Sequence, residues 1–458
     1  MIFFLAWFHF SAAAGEVTIK GSSTMPGKIV RLLMVKDLIS GLDTTLATTT
    51  SDFKGSFELS ATVNETSLAE VAIGLNRATI LLSPGSVYKI ALILENQASN
   101  SYFDAQPLRL ELKQTNDGGR NDQLNTINFI FNTFVFKHFT QLQRSGNPKL
   151  IDSVKVAIDK AIPLISDPFI RSYRDYKLAS LLAAAEKMTN KRIFEQFFKS
   201  KSVAYSNPEY LSLLQQYFSD HYFSNNKLLH FDGFVEATRA GLKAVRQYVS
   251  QDTFFGQEER LKELVLLLHL DLAYYNTAFY EGSVKSVLTE LAGKAIFPEH
   301  RSIAANIIQR KTWLSPGSPF PAISLTNHKS ELVSLGRGEG QKLQLLLFVS
   351  SNCTVCFKEM ELLAAEIQEI GQDLHIIIVA NREGFQQTVE FVEKLRLPWQ
   401  VFNTGNDELV YERLNIRVFP EYIILYPDNR IAMAPAPPLS GKLLIHLKSL
   451  IKKTIDPK

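Results

Sequence analysis

The chain has 458 residues, of which 46% are hydrophobic and 21% are charged, a composition that excludes a disordered chain, a fibrous repeat and a multi-span membrane protein. At roughly 150 residues per domain, this length favours a multidomain protein with about three domains. The 49 basic and 46 acidic residues give a net charge of +3, and because no long basic block occurs, no nucleic-acid partner is expected.

The sequence begins with an apolar segment, MIFFLAWFHF, which is followed by small residues. Ala12 and Ala14 fit an A-x-A cleavage site, so residues 1–14 are interpreted as a secretory signal peptide. No later segment reaches the ~20 uncharged apolar residues that are needed to span a bilayer. We therefore expect an exported protein without a transmembrane segment after signal cleavage.

Residues 15–120 are predicted to form a small β-sandwich-like domain of unknown function. Short runs of β-forming residues alternate there with turn residues such as Ser83-Pro84-Gly85, which is typical of an all-β domain. The clearest strands are predicted at residues 28–35, 55–60 and 88–94. No residue in this region suggests chemistry.

Residues 121–314 are predicted to form a central α-helical region, because apolar residues recur with helical spacing. The strongest periodicities cover residues 125–139, 169–189, 207–223 and 261–278. The many aromatic side chains of this region are interpreted as core residues. His269 and Asp271 stand two residues apart on one predicted helix and so face different sides, which favours a structural histidine over a paired site.

A further domain is predicted at residues 315–458, where three prolines between Ser315 and Pro321 end the helical periodicity. Strands and helices alternate from there onwards, which is typical of an α/β sheet with helices on both faces. Strands are predicted at residues 321–325, 342–349, 374–379, 399–403, 422–426 and 430–433, and helices at 356–371, 384–395, 408–414 and 441–453.

The two cysteines of the sequence, Cys353 and Cys356, stand between a predicted buried strand and a predicted helix. At a helix N-terminus, backbone N–H groups and the helix dipole stabilise a thiolate, which makes the first cysteine a nucleophile near neutral pH. The spacing brings the second thiol within disulfide reach. A zinc site would need four ligands, and the sequence contains no further cysteine, so redox chemistry is favoured over metal binding.

Residues 315–458 resemble the thioredoxin fold and, within it, the TlpA/ResA-like family of exported bacterial thiol-disulfide oxidoreductases. The segment from Cys353 to Glu359 is similar to the C-x-x-C-x-x-E motif of that family, and Phe419-Pro420 is similar to its cis-proline segment. The resemblance implies that Cys353 and Cys356 form a redox-active disulfide, in which Cys353 attacks a substrate disulfide and Cys356 resolves the mixed disulfide. It also implies that Glu359 accepts a proton and that Phe419 and Pro420 shape the groove for a substrate peptide.

The implied activity is the reduction of disulfides in envelope proteins of the periplasm. The implied partners are protein thiols and disulfides and a membrane electron donor, and no cofactor or metal is implied. Thr354 and Val355, between the cysteines, include no histidine to stabilise the thiolate as in strong oxidants. We therefore expect a reducing couple, nearer the ~ −270 mV of thioredoxin than ~ −120 mV.

Two departures from the family pattern leave other functions open. Asn352 stands where the family has a tryptophan, and Leu347 stands where thioredoxins carry a buried acid. A non-catalytic thioredoxin-fold binding module is therefore one alternative. A thiol peroxidase of the AhpC/TSA type is another, but its P-x-x-x-T-x-x-C motif would require proline and threonine at the positions of Leu346 and Ser350.

Overall fold

A computed structural model of the protein describes residues 14–74, 76–94, 108–144, 148–225, 229–280, 282–335, 342–350, 353–368, 370–405, 409–416 and 418–455. Asn352 and residues 1–13 of the predicted signal peptide lie outside these ranges. The described residues divide into two compact units, one formed mainly by residues up to 310 and the other formed mainly by residues from 311 onwards. Within the described ranges, no helix has the length and apolar character needed to cross a membrane.

The first unit begins with a β-sandwich. Its strands are β1 Gly15–Ser23, β2 Ile29–Val35, β3 Asp43–Thr50, β4 Ser56–Val63, β5 Ser67–Ile73, β6 Asn76–Leu82, β7 Val87–Leu94 and β8 Leu108–Thr115. They form two sheets with the orders β4-β1-β7-β8 and β3-β2-β5-β6. Ile19 and Leu59 of the first sheet meet Leu32 and Val71 of the second in one apolar core, because side chains of a strand point alternately to its two faces.

Helices make up the rest of the first unit. They are α1 Arg120–Arg144, α2 Pro148–Ala161, α3 Pro168–Ala185, α4 Asn190–Ile193 with a π-helical turn at Phe194–Phe198, α5 Pro208–Phe218, α6 Phe231–Ala240, α7 Leu242–Ser250, α8 Glu259–Ala273, α9 Ser283–Lys294 and α10 Pro298–Thr312. The sequence predictions locate α1, α3, α5 and α8, but α5 ends five residues earlier than the predicted limit of 223. The reason is that Tyr222 and Phe223 pack into the same core from the turn after the helix, so the apolar pattern continues beyond it. The predicted division at residue 120 stays a prediction, because the sandwich and the helices belong to one compact unit.

His269 on α8 is a core residue. Its imidazole is fully buried. Nε2 accepts a hydrogen bond from the Tyr222 N–H at 3.0 Å, so Nδ1 carries the proton and donates to the Val265 carbonyl at 2.7 Å. Burial lowers the pKa of His269 to about 3, and the hydrogen bond to Val265 opposes that effect only in part. The folded protein therefore holds this histidine neutral.

Because His269 is buried and neutral in the folded protein, we expect the first unit to lose stability in mild acid. A folded-state pKa of about 3 lies below the ordinary value of 6.5, so the unfolded chain binds the extra proton between these pH values. The contribution of the neutral His269 to the free energy of unfolding should be complete above pH 6.5. Below that pH the free energy of unfolding should fall, with a slope approaching ~1.4 kcal/mol per pH unit. Urea unfolding between pH 7.5 and 5 measures this slope, which His269→Gln should reduce. An unchanged slope in His269→Gln would refute the assignment.

A buried ionisable pair, Glu263 and His300, joins α8 to α10. The Glu263 carboxylate accepts a hydrogen bond from His300 Nδ1 at 2.7 Å, and the N–H of Ile296 donates to it at 3.1 Å. On the other side of the ring, His300 Nε2 lies 2.8 Å from the Tyr205 hydroxyl. Burial by itself would raise the pKa of Glu263, but the hydrogen bonds from His300 and the backbone hold that pKa below its usual value. Glu263 therefore fixes the start of α10 against α8.

The second unit contains one mixed seven-stranded sheet. Its strands are β9 Ile323–Thr326, β10 Leu332–Leu335, β11 Leu343–Val349, β12 Leu374–Ala380, β13 Gln400–Asn403, β14 Glu421–Leu425 and β15 Ile431–Ala436. Their order is β10-β9-β13-β12-β11-β14-β15. Strands β11, β12 and β13 are parallel, whereas β14 and β15 add an antiparallel edge. All six predicted strands are present, and β10 is a further strand that the sequence pattern does not predict.

Helices cover both faces of this sheet. They are α11 Thr354–Glu366, α12 Phe385–Lys394, α13 Leu409–Arg413 and α14 Leu443–Ile455, with 3₁₀ turns at Gly371–Asp373, Arg382–Gly384 and Leu439–Gly441. Leu345 and Leu347 of β11 face the core that contains α11, α12 and α14, whereas Leu346 and Phe348 face the core that contains α13. Because β11 is buried on both faces, its sequence is a continuous apolar run instead of an alternating one.

Candidate active site

The cysteine pair lies where the central strand β11 meets α11. Cys353 is the N-cap residue of α11, and Cys356 lies in its first turn. The two sulfurs are bonded to each other, with their Cα atoms 5.2 Å apart. The backbone N–H of Cys356 donates to the Sγ of Cys353 at 3.1 Å. A helix N-terminus stabilises negative charge, so this N–H and the helix dipole favour a Cys353 thiolate once the disulfide is reduced.

The two cysteines differ in their exposure to solvent. Cys356 is 0% exposed and packs in the apolar core beside Met360. Cys353 is only partly buried at the edge of that core. Val355, between them, is 60% exposed. A substrate arriving from solvent therefore meets Cys353, whereas Cys356 can be reached only from within the site.

The Phe419–Pro420 segment lies at the same end of the sheet. Strands β11 and β14 are antiparallel, and Phe348 pairs with Glu421, so Pro420 comes next to the residue at which β11 ends. The Phe419–Pro420 peptide bond is cis, as the family resemblance implies. The ring of Phe419 packs edge-on against Tyr411 at 5.7 Å between ring centroids. The loop before β14 and the cysteine pair after β11 therefore emerge from neighbouring strands.

Exposed apolar side chains flank this end of the sheet. Val418, just before Phe419, is 60% exposed, as is Val355 in the cysteine loop. Apolar groups that remain exposed beside a reactive group are a common feature of surfaces that bind other proteins. These two valines are therefore candidates for contacts with a substrate protein.

Glu359 lies one helical turn after Cys356 on α11 and is partly buried. Its Oε2 accepts a hydrogen bond from the hydroxyl of Tyr422 on β14. Tyr422 is 1% exposed. Burial, then the hydrogen bond with Glu359 and its charge, raise the pKa of Tyr422 well above the usual value. Glu359 belongs to the motif that carries the family resemblance, whereas the only sequence signal for Tyr422 is a hydroxyl-bearing residue at the start of a buried apolar strand.

The described residues hold no group of three or more His, Cys, Asp or Glu side chains arranged to bind a metal ion. Asn352, which departs from the family pattern, lies outside the described ranges. Leu347, the other departure, is fully buried and pairs with Tyr422 across β11 and β14.

No protein-family model matches the chain, and no curated protein matches its sequence. Among solved structures, it is similar to the thioredoxin domain of a thiol-disulfide oxidoreductase from Bacteroides vulgatus, with 24% identity over 31% of this chain and 99% of that one, and a TM-score of 0.27. It is also similar to a thiol:disulfide interchange protein from a Bacteroides species, with 24% identity over 32% of this chain and 94% of that one, and a TM-score of 0.27.

A third similar structure is a thioredoxin-like protein from Bacteroides caccae, with 13% identity over 61% of this chain and 93% of that one, and a TM-score of 0.32. The second unit has parallel β11, β12 and β13 and antiparallel β14 and β15, and helices lie on both faces of this sheet, as the alternation of predicted strands and helices indicates. The cysteine pair follows its central strand, and the cis-proline Pro420 precedes the adjacent strand. The second unit of this chain is therefore an α/β domain in which a Cys-x-x-Cys disulfide and a cis-proline lie at the same end of the sheet.

Proposed function

We propose that the protein is an exported thiol-disulfide oxidoreductase that reduces disulfides in envelope proteins of the periplasm. The observation that carries the proposal is the bonded pair Cys353–Cys356 at the start of α11, with one sulfur partly exposed and the other buried. A pair in this position can exchange two electrons with a substrate disulfide. Its location in the periplasm depends on the predicted signal peptide at residues 1–14.

In the proposed reaction, the reduced protein begins with both cysteines as thiols or thiolates. The Cys353 thiolate attacks one sulfur of a substrate disulfide, so that a mixed disulfide forms and the other substrate sulfur leaves as a thiolate. Cys356 then loses its proton and attacks the Sγ of Cys353. The mixed disulfide breaks, the Cys353–Cys356 disulfide forms, and the second substrate sulfur leaves. The substrate gains two electrons and two protons, and the protein loses them.

The remaining residues of the site have roles that follow from their positions. Glu359, one turn from Cys356, is the proposed acceptor of the Cys356 proton. Phe419 and Pro420, beside the end of β11, are proposed to bind the substrate polypeptide, with contacts from Val355 and Val418. A membrane electron donor is proposed to reduce the Cys353–Cys356 disulfide after each turnover.

Reduction of insulin tests this function. Wild-type protein with dithiothreitol as the electron source should accelerate precipitation of the insulin B chain, and Cys353→Ser should give only the rate of dithiothreitol alone. A non-catalytic binding module would give that background rate for both proteins. A thiol peroxidase would also give background with insulin but would consume hydrogen peroxide at the expense of dithiothreitol, so the same two proteins should be tested with peroxide.

A further inference from the structure

The buried Tyr422 links the antiparallel strand β14 to the active-site helix. Its neighbour across the sheet is Leu347 of β11, and its ring lies in the same apolar core as Cys356 and Met360. From there its hydroxyl reaches the Glu359 carboxylate and donates to Oε2. Helix α11 and strand β14 are thus joined by a polar contact inside an otherwise apolar core.

The chemistry of the two groups assigns a direction to this contact. Burial and the adjacent carboxylate raise the pKa of Tyr422, so its hydroxyl stays protonated and acts as the donor. Hydrogen bonds to a charged group are stronger than those between neutral groups. With Oε2 held by the hydroxyl, the second carboxylate oxygen of Glu359 remains to accept a proton.

The position of Glu359 relative to Cys356 gives the contact a use in the proposed reaction. Residues three apart on a helix lie on the same face, one turn from each other. Glu359 therefore lies on the same helical face as the buried Cys356, three residues after it. Cys353 is six residues before Glu359. The cysteine that has to lose a proton while buried is Cys356, since its sulfur is 0% exposed.

We infer that Tyr422 is a positioning residue that holds the Glu359 carboxylate in place to take the proton of Cys356 when Cys356 attacks the mixed disulfide. This inference rests on the proposed function. In that step the Cys356 proton passes to Glu359, a bond forms between the sulfurs of Cys356 and Cys353, and the substrate sulfur leaves with its electron pair. Tyr422 does not touch the reacting sulfurs and acts only through Glu359.

Tyr422→Phe removes the hydroxyl and keeps the ring. With glutathione disulfide as substrate, we expect the glutathionylated Cys353 intermediate to decay about tenfold more slowly, because the Glu359 carboxylate is no longer held in one orientation beside Cys356. Acid quenching and mass spectrometry measure this decay. Attack by Cys353, measured as adduct formation in a Cys356→Ser background, should be the same with and without Tyr422→Phe.

Tyr426→Phe is the matched control. Tyr426 directly follows strand β14, packs against the same core and is half-buried. A strand rises about 3.4 Å per residue, so Tyr426 lies roughly 14 Å along the chain from Tyr422. It should leave both rates unchanged. Glu359→Gln should slow resolution, and adding Tyr422→Phe to it should have little further effect, because both changes then act on one step.

The outcomes separate the inference from the proposed function. Resolution at the wild-type rate in Tyr422→Phe would overturn the inference, as would an equal loss of attack and resolution, or additive effects of Tyr422→Phe and Glu359→Gln. Slower resolution with unchanged attack supports it. If Cys356→Ser forms no mixed disulfide with glutathione disulfide or insulin, the proposed function fails, and the inference fails with it.

Discussion

Cys356→Ser is expected to accumulate a mixed disulfide with a substrate protein, and Cys353→Ser is expected to form none. The reason is the unequal exposure of the two sulfurs, since Cys356 is 0% exposed and Cys353 is partly exposed at the helix N-terminus. Removal of the nucleophile of a covalent mechanism should lower adduct formation by roughly 10³-fold or more. Non-reducing electrophoresis followed by peptide mass mapping measures the adduct.

The assignment of the nucleophile would be contradicted by equal trapping in the two single variants, or by an adduct mapped to Cys356. The double variant Cys353→Ser, Cys356→Ser is the control for non-covalent association. Because the double variant has no cysteine, any substrate that stays bound to it in a denaturing gel is held by something other than a mixed disulfide.

Glu263→Ala is expected to destabilise the first unit by about 3 to 5 kcal/mol, since it removes one partner of a buried pair and leaves the other without compensation. The change leaves His300 and the N–H of Ile296 without their acceptor inside the core. Urea unfolding followed by circular dichroism measures the free energy. The stabilising contribution of the Glu263 carboxylate should be complete above its ordinary pKa of 4.5. It should be lost as the pH falls through the lower pKa that Glu263 has in the folded protein.

Glu58→Ala is the matched control for Glu263→Ala. Glu58 pairs with Lys20 at 3.5 Å, but both side chains are exposed to solvent. Its removal should leave the free energy of unfolding nearly unchanged. A similarly small effect of Glu263→Ala would show that the buried pair does not hold α10 against α8.

Local patterns were sufficient to predict the four helices and six of the seven strands of the second unit, all except β10. The continuous apolar run of β11 and the Cys-x-x-Cys spacing depend on residues that are near one another in the sequence. The position of Glu359 beside Cys356 could also be predicted, because three residues make almost one helical turn. The location of Pro420 came from the family resemblance, and the pairing of Phe348 with Glu421 places it beside the end of β11.

Long-range contacts could not be predicted from these patterns. Tyr422 reaches Glu359 across 63 positions of sequence, and this contact depends on the register between β11 and β14. Glu263 and His300 are 37 positions apart, and neither residue belongs to a recognisable motif. The orders of the two sandwich sheets also depend on pairing between distant strands, which hydrophobic alternation alone does not specify.

The reduction potential of the Cys353–Cys356 pair tests the proposed reductase most directly. The protein would be equilibrated in glutathione or dithiothreitol redox buffers, its free thiols alkylated, and the oxidised fraction measured by mass. Since Thr354 and Val355 include no histidine to stabilise the thiolate, we predict a reduction potential nearer ~ −270 mV than ~ −120 mV. A value above about −150 mV would contradict a reducing role and indicate disulfide formation or isomerisation, and failure to form the disulfide would contradict redox activity altogether.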